Sequence, residues 1–194
     1  MITRHPESDK GTALAGRGVE VVRADLNDAS TLPAAFDGAY GLFLLTNFWD
    51  LATNAPHGEG TGITEADQGG AAVAAALEAG VQHLIWSTLP DVKGLSGGAL
   101  AVHHFTGKAV VDAVVTDLGF RFHTFVEPPF YFQNLTTMMG PQPLGNGAKG
   151  WVVPMDPARR CIHAGDVTEV GKVVARAFEN PEAVGDGQHL GVAP

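Results

Sequence analysis

Two nearly continuous apolar runs constrain the fold of this chain more than any other feature. They are AYGLFLLTN at residues 39–47 and HLIWSTL at residues 83–89. A strand that is buried on only one face alternates apolar and polar residues, whereas these runs contain few polar side chains. Such runs are typical of parallel strands with helices on both faces, so they predict the centre of an α/β sheet.

Further strands and helices fit the same plan. Strands are predicted at residues 19–26, 121–128 and 188–192, and helices at about 29–36, 64–79, 105–118, 130–139 and 166–180. Asp28, Thr64 and Asp166 are the expected N-terminal caps of three of these helices. Alternating strands and helices predict a doubly wound parallel sheet in a three-layer αβα arrangement. No linker or internal repeat divides the chain, which predicts a single domain over residues 1–194.

Composition and charge argue against several classes of protein. The chain carries a net charge of −9, which disfavours direct binding to nucleic acid or to an anionic membrane. No apolar run reaches about 18 residues, so no membrane helix is expected. The single cysteine, Cys161, excludes an internal disulfide framework and is predicted to be a packing residue. The histidines show no metal-ligand spacing, so no metal site is predicted. The expected location is the cytoplasm, because a single cysteine suits a reducing compartment.

The segment HHFTGK at residues 103–108 holds a candidate for chemistry. His104 and Lys108 are four residues apart, so on a helix they lie on one face. Histidine exchanges protons near neutral pH, and His104 could therefore serve as an acid or a base. A local alternative is open, in which Lys108 pairs with Asp112 at i+4 and His104 caps a buried helix.

Several segments, in order along the chain, carry a family resemblance: MITRHP, GVEVVRADLNDASTL, AYGLFLLTNFWD, VQHLIWSTLPDVKGLSGG, VHHFTGKAVVDAV, EPPFYFQNL and IHAGDVTEVG. Together they resemble the NmrA-like family of atypical short-chain dehydrogenases, and within it the NADPH-sensor branch. LLTNFW and HF-x-GK are the most distinctive. The resemblance implies a Rossmann-type NAD(P)-binding fold, NADP(H) as cofactor, and room for a regulatory protein partner.

The sequence also departs from the family pattern. Family members begin with a strand and a G-x-x-G-x-x-G turn that seats the cofactor pyrophosphate on a helix N-terminus. This sequence starts within the family's second strand and stops soon after QHLGVAP, so we expect the first strand and helix to be lacking. That strand is central in the family's order, and its loss predicts two unpaired strand edges. Residues 130–160 would contribute to a smaller lobe on the substrate or partner side.

Two other Gly-rich segments could in principle replace the missing turn. HGEGTGITEADQGG at residues 57–70 has G-x-G-x-G spacing, and no strand leads directly into it. GLSGG at residues 94–98 lacks the Lys-Ser/Thr pair of a phosphate-binding loop. Both segments are predicted to be mobile loops rather than phosphate cradles.

The resemblance assigns cofactor-binding residues to the ends of the strands. Arg4 would lie where NAD-dependent enzymes place an acid and where an Arg accommodates the 2′-phosphate of NADP. NADP(H) is therefore expected to be preferred over NAD(H), with Lys10 adding charge. Asp25 and Leu26 would contact the adenine. The other implied cofactor-side residues are Thr46, Asn47, Phe48, Lys108, Pro128 and Phe130, and Asn134 would face the substrate. Each assignment has an open alternative. Arg4 could be an ordinary surface residue, Asp25 could cap a turn, and residues 46–48 could be a buried strand end.

The catalytic candidates also come from the resemblance. Short-chain dehydrogenases use a Tyr four residues before a Lys, together with a Ser that holds the substrate carbonyl. His104, Lys108 and Ser87 occupy these positions here. Relatives with the same His are regarded mainly as cofactor-binding regulators, so the resemblance favours an NADP(H)-binding redox sensor. A NADPH-dependent reductase of quinones or carbonyls and a fragment without cofactor binding are the alternatives.

Overall fold

The computed structural model describes residues 1–50, 63–137, 139–145, 147–153, 156, 158–159 and 162–192. The strands are β1 (Ile2–Thr3), β2 (Val22–Arg23), β3 (Gly41–Leu44), β4 (His83–Ser87), β5 (Phe122–Glu127), β6 (Phe130–Tyr131), β7 (Gln142–Pro143), β8 (Lys149–Gly150), β9 (Ala164–Gly165) and β10 (Asp186–Gly191). The helices are α1 (Asp9–Ala15), α2 (Leu32–Phe36), α3 (Glu65–Glu78), α4 (Val92–Leu95), α5 (His103–Leu118), α6 (Val167–Glu179) and α7 (Pro181–Val184). Single 3-10 turns cover Ala29–Thr31 and Phe132–Leu135.

A four-stranded parallel sheet with the order β10-β5-β4-β3 forms the centre of the molecule. Strand β4 is buried along its whole length. Its consecutive side chains point to opposite faces, because Leu84 and Trp86 join one core cluster and Ile85 joins the other. The apolar run at residues 83–89 is therefore a doubly covered strand, as predicted.

Helices cover both faces of this sheet. On one face, α3 and α5 contribute Val73 and Val111 to a core that also includes Trp86. On the other face, α6 contributes Val170 and Val174 to a smaller core around Ile85. Full burial of side chains of this size contributes roughly 1.5–3 kcal/mol each, which holds the layers together. The predicted three-layer αβα arrangement is present around these four strands.

Strands β1 and β2 form a separate parallel sheet, and β6 and β9 form another. Strand β1 pairs with β2, with Ile2 opposite Val22. Within the described part of the chain, β1 pairs only with β2, and β3 pairs only with β4. Each therefore presents one unpaired edge, which agrees with the two unpaired strand edges that the sequence predicts, and the β1–β2 pair is separate from the four-stranded sheet. A cleft lies between them.

Helix ends follow the predicted caps. The Asp28 side chain accepts from the Ser30 amide, and the Asp166 side chain accepts from the Thr168 amide. Thr64 and Asp67 form a reciprocal capping box at the start of α3. By contrast, α5 begins after Val102, which makes no side-chain cap bond. The alternative in which His104 caps this helix is therefore wrong.

Two further predictions differ from the structure. The predicted helix over residues 130–139 is wrong, because Phe130 and Tyr131 pair with β9 and only Phe132–Leu135 makes a 3-10 turn. The Phe130 amide donates to the His163 carbonyl at 2.9 Å, so a distant segment takes the bond that a helix would have used. The strand predicted over residues 19–26 is reduced to Val22–Arg23. Residues 57–62 and Cys161 lie outside the described residues.

Candidate functional site

A cleft of about 730 Å³ separates the β1–β2 sheet from the four-stranded sheet. Its walls are β1 and β3, and α2 contributes apolar side chains. Four of the predicted cofactor residues line it: Arg4, Asp25, Leu26 and Asn47. They follow β1, β2 and β3, so they gather at the carboxyl ends of parallel strands, where open α/β sheets bind ligands.

Arg4 already has an acidic partner. Its Nη2 lies 3.0 Å from Asp50 Oδ2, and the Arg4 and Asp50 side chains are 48% and 20% exposed. The segment ITRHP at residues 2–6 contains no acid, but the fold brings Asp50 to Arg4 from the segment after β3. A guanidinium has five N–H donors, so this contact leaves Arg4 with capacity for an anionic ligand.

Asp25 sits in a tight turn after β2. Its Oδ1 accepts from the Asn27 amide at 2.9 Å, and its own amide donates to Thr31 Oγ1 at 3.1 Å. The Gln68 side chain of α3 donates to Asn27 Oδ1 at 2.8 Å and ties this turn to the cleft wall. Asp25 is therefore a structural turn residue that also lines the cleft, and the two roles are compatible.

Lys108 lies almost wholly buried behind the cleft. Its Nζ contacts Glu65 Oε1 at 2.8 Å, and it donates to the Thr46 carbonyl at 2.9 Å and to Thr46 Oγ1 at 3.0 Å. The Thr46 hydroxyl in turn donates to Glu65 Oε1 at 2.7 Å. We call Thr46, Glu65 and Lys108 the buried triad. The alternative in which Lys108 pairs with Asp112 is wrong, because the carboxylate that reaches Lys108 comes from α3.

His104 packs in an aromatic cluster one turn before Lys108. Its ring centroid lies 5.6 Å from that of Phe48, 5.4 Å from that of Trp49 and 4.8 Å from that of Phe105. Burial lowers the pKa of His104, while the charge of Glu65 raises it and the charge of Lys108 lowers it to smaller extents. The imidazole is therefore neutral at pH 7 and can accept a proton.

A second polar cluster lies at the ends of β4 and β5. Ser87 is the last residue of β4 and is buried, and the Thr88 amide donates to the Val126 carbonyl at 2.9 Å. Burial raises the pKa of Asp112 to about 6, and the side chains of Thr88 and Trp86 and the charge of His189 offset part of this effect. One Asp112 carboxyl oxygen is buried and has no hydrogen-bond partner among the described residues.

The remaining predicted residues stand apart from the cleft. Lys10 is exposed on α1. Pro128 follows β5 and Phe130 lies in β6, while Asn134 lies in the 3-10 turn that comes next. None of these four residues lines the cleft between the sheets. Thr46 and Phe48, which follow β3, contact Lys108 and His104 of α5. The segment at residues 128–135 does not line the cleft.

The sequence does not predict Glu65 as the partner of Lys108, and it does not predict the raised pKa of Asp112. A signal for Glu65 existed, because a Lys on the buried side of a helix needs an acidic partner. Glu65 also fits the ordinary preference for acids in the first turn of a helix, which concealed its tertiary role. Asp112 was considered only as a partner of Lys108, and its burial could not be read from the sequence.

Two further kinds of feature are absent from the described residues. No group of three or more His, Cys, Asp or Glu side chains among them is placed to hold a metal ion. None of the described helices has the length and apolar character that are needed to cross a membrane.

Comparisons with known proteins identify the family of this chain. A profile of the NmrA-like family matches residues 1–194. The NmrA-like family domain-containing oxidoreductase himF of Aspergillus japonicus is 32% identical over 189 residues, which cover 93% of this chain and 56% of himF. This chain therefore spans about half the length of that curated relative.

Solved structures show the same fold. NmrA, a negative transcriptional regulator, in complex with NADP has a TM-score of 0.79 and 24% identity, covering 99% of this chain and 57% of NmrA. NmrA has also been solved with NAD. The NADPH-dependent quinone oxidoreductase of Escherichia coli has a TM-score of 0.51 and 22% identity, covering 71% of this chain and 42% of that protein. Because the family profile matches the whole sequence and himF exceeds 30% identity, this chain belongs to the NmrA-like family.

Proposed function

We propose that this chain binds NADP(H) in the cleft between the β1–β2 sheet and the four-stranded sheet and acts as a cofactor-responsive regulatory module. The observation that carries the proposal is the convergence of Arg4, Asp25, Leu26 and Asn47 on one cleft at the carboxyl ends of β1, β2 and β3. These residues come from separate parts of the sequence, and each was assigned a cofactor role by resemblance. NmrA, which has this fold, has been solved with NADP and with NAD.

Arg4 supports a preference for NADP(H). Its side chain is about half exposed at the cleft and carries the charge that a 2′-phosphate requires. Asp50 orients the guanidinium, and the phosphate would compete with Asp50 or bind the N–H groups that Asp50 leaves free. Asp25 and Leu26 supply an acceptor and an apolar surface for an adenine in the adjacent part of the cleft.

The buried triad supports a regulatory role over hydride transfer. In dehydrogenases of this type the Lys must act on the cofactor ribose and on a neighbouring acid. Here the three N–H groups of the Lys108 ammonium face three protein acceptors at 2.8–3.0 Å. The residue four positions earlier is a His packed among aromatic rings rather than a Tyr. This arrangement suits cofactor binding better than proton transfer to a substrate.

A titration tests cofactor binding. We expect NADPH to bind saturably in calorimetric titrations and NADH to bind more weakly. Arg4→Ala should reduce the preference for NADPH over NADH about tenfold or more, because it removes a charge-assisted phosphate contact. Arg17→Ala is the matched control, since Arg17 is an exposed Arg outside the cleft lining. If neither nucleotide binds, the proposal is wrong.

A reductase function is the second candidate. It is favoured by the neutral His104 near Lys108 and by the oxidoreductase description of himF. Consumption of NADPH with a panel of quinones and aldehydes separates the two functions. We expect no turnover above the buffer rate. Turnover that disappears in His104→Ala and persists in Arg17→Ala would favour the reductase.

A further inference from the structure

We propose that Glu65 is a positioning residue of the nucleotide site, which fixes the Lys108 ammonium against the carboxyl end of β3. This inference rests on the proposed NADP(H) binding, because its main readout is the affinity for that nucleotide. The resemblance in the sequence gives Glu65 no role.

The contacts define a clamp rather than a simple ion pair. Glu65 Oε1 faces Lys108 Nζ at 2.8 Å and accepts from Thr46 Oγ1 at 2.7 Å. The carbonyl oxygen and the hydroxyl oxygen of Thr46 both accept hydrogen bonds from Lys108 Nζ. Three parts of the chain thus meet at one point. Glu65 comes from α3, Lys108 comes from α5, and Thr46 is the second residue after β3. Asn47, the next residue, lines the cleft, so the clamp sets the position of a cleft wall.

Burial makes the carboxylate necessary. The side chains of Glu65 and Lys108 are 2% and 11% exposed, and Lys108 Nζ lies 5.4 Å from the centroid of the Trp86 ring. A buried amine without a counter-charge favours its neutral form, because desolvation penalises the charge. Among the described residues, the titratable groups that face Lys108 are Glu65 on α3 and His104 on its own helix, while β3 and β4 present Thr46 and Trp86.

The second carboxylate oxygen gives the clamp room to adjust. Glu65 Oε2 is buried and has no hydrogen-bond partner among the described residues. A Cβ placed on Gly107 of α5 would lie 3.6 Å from this oxygen, so it faces the turn between His104 and Lys108. When Lys108 exchanges a Thr46 acceptor for a ribose hydroxyl, either oxygen of Glu65 can keep the ion pair. The carboxylate therefore holds the charge while the ammonium changes partner.

The test measures NADPH affinity against pH in variants of the full chain. Glu65→Gln preserves the shape but removes the charge, so the buried amine lacks the counter-charge that favours an ionised form. At each pH, the dissociation constant of the variant for NADPH is divided by that of the wild type. We expect this ratio to rise about tenfold or more between about pH 7 and pH 9.5. The 2′-phosphate of NADPH has a second pKa of about 6, and dividing by the wild-type value at the same pH removes its remaining titration from the comparison.

Glu65→Asp separates position from charge. It keeps the carboxylate but withdraws it by one methylene, so affinity should fall several-fold at every pH, with a flat profile. Glu78→Gln is the matched control, because it is the same substitution at an exposed position on the same helix. If Glu65→Gln does not fold, the Glu65→Asp result decides, and unchanged affinity in that variant overturns the proposal.

The outcomes distinguish this inference from the proposed function. No NADPH binding by the wild-type chain would remove the cofactor function and the positioning role together. Wild-type binding with a flat, unweakened profile in Glu65→Gln would leave the cofactor function intact and refute the role of Glu65 alone. A steep profile in Glu65→Gln that is absent from Glu65→Asp supports the role, since loss of packing alone does not create a pH dependence.

Discussion

Lys108 and Asp112 lie one turn apart on α5 and illustrate two ways in which a fold treats a buried charge. Lys108 faces a carboxylate from α3 and two oxygens of Thr46. Asp112 has no basic side chain at ion-pair distance among the described residues, and burial raises its pKa to about 6. Local spacing made these two residues natural i,i+4 partners. The fold separates them and gives a charge partner to only one.

The difference shows that the neighbouring layers, and not the helix itself, decide the state of a buried ionisable group. Lys108 points to where α3 begins and β3 ends, and an acid stands there. Asp112 points to the end of β4, where Thr88 and Trp86 offer a hydroxyl and an indole but no positive charge. A paired charge is stable as an ion, whereas an unpaired carboxyl reduces its cost by holding a proton.

The largest expected effect comes from breaking the paired side of this comparison. Glu65→Ala leaves the Lys108 ammonium buried without its counter-charge, and we expect it to lower the free energy of unfolding by roughly 3–5 kcal/mol. That loss is a large fraction of the stability of a typical domain. Urea denaturation followed by tryptophan fluorescence measures it, because unfolding exposes the buried Trp86.

A double variant checks that the loss comes from the unpaired charge. Glu65→Leu with Lys108→Met replaces the pair by apolar side chains, and it should recover most of the stability, because such replacements are often neutral. Glu78→Ala, at the exposed end of the same helix, should change stability by less than about 0.5 kcal/mol. A double variant as unstable as Glu65→Ala would show that packing, not charge, explains the loss.

The unpaired side should respond in the opposite direction. Asp112→Asn removes a carboxylate that the fold destabilises, so we expect the free energy of unfolding at pH 8 to rise by on the order of 1 kcal/mol, after allowance for partial solvent exposure. The folded-state pKa of Asp112 is about 6 and its ordinary value is 3.8. The contribution of Asp112 to the stability of the wild type therefore rises as pH falls from above 6 towards 3.8, and the advantage of the Asn variant disappears over that window.

The measurement is the difference in unfolding free energy between the variant and the wild type from pH 8 to pH 4. The difference is needed because burial lowers the pKa of His83, His104 and His123, which makes both proteins lose stability as pH falls below about 6.5. Asp117→Asn, on the same helix and exposed, is the control. A pH-independent advantage for Asp112→Asn would contradict the raised pKa.

The sequence predicted the fold better than it predicted the site, and the reason is the range of the interactions. The apolar runs at residues 39–47 and 83–89 and the caps at Asp28, Thr64 and Asp166 act within a few residues, so a pattern reveals them. The helix predicted over residues 130–139 failed because β9, more than thirty residues away in the chain, supplies the pairing.

The site divides in the same way. Strand ends can be located from the sequence, and parallel strands bring their ends together, so the meeting of Arg4, Asp25 and Asn47 at one cleft follows from the pattern, while their cofactor roles stay predictions. Glu65 and the raised pKa of Asp112 were not found, because both depend on which layer α5 packs against. A charge that looks like an ordinary first-turn acid becomes a buried counter-ion only when the neighbouring helix brings a Lys to it.

The smallest expected effect concerns an exposed ion pair, which tests whether burial or distance gives the buried triad its importance. Lys172 Nζ lies 2.6 Å from Glu169 Oε1, a shorter distance than the 2.8 Å between Lys108 and Glu65. The two side chains are 70% and 50% exposed, so water and salt screen their attraction. Lys172→Ala should therefore leave the urea midpoint unchanged within error, although it breaks the shorter pair. A loss comparable to that of Glu65→Ala would mean that distance rather than burial ranks these contacts, and the contrast between Lys108 and Asp112 would then need a different explanation.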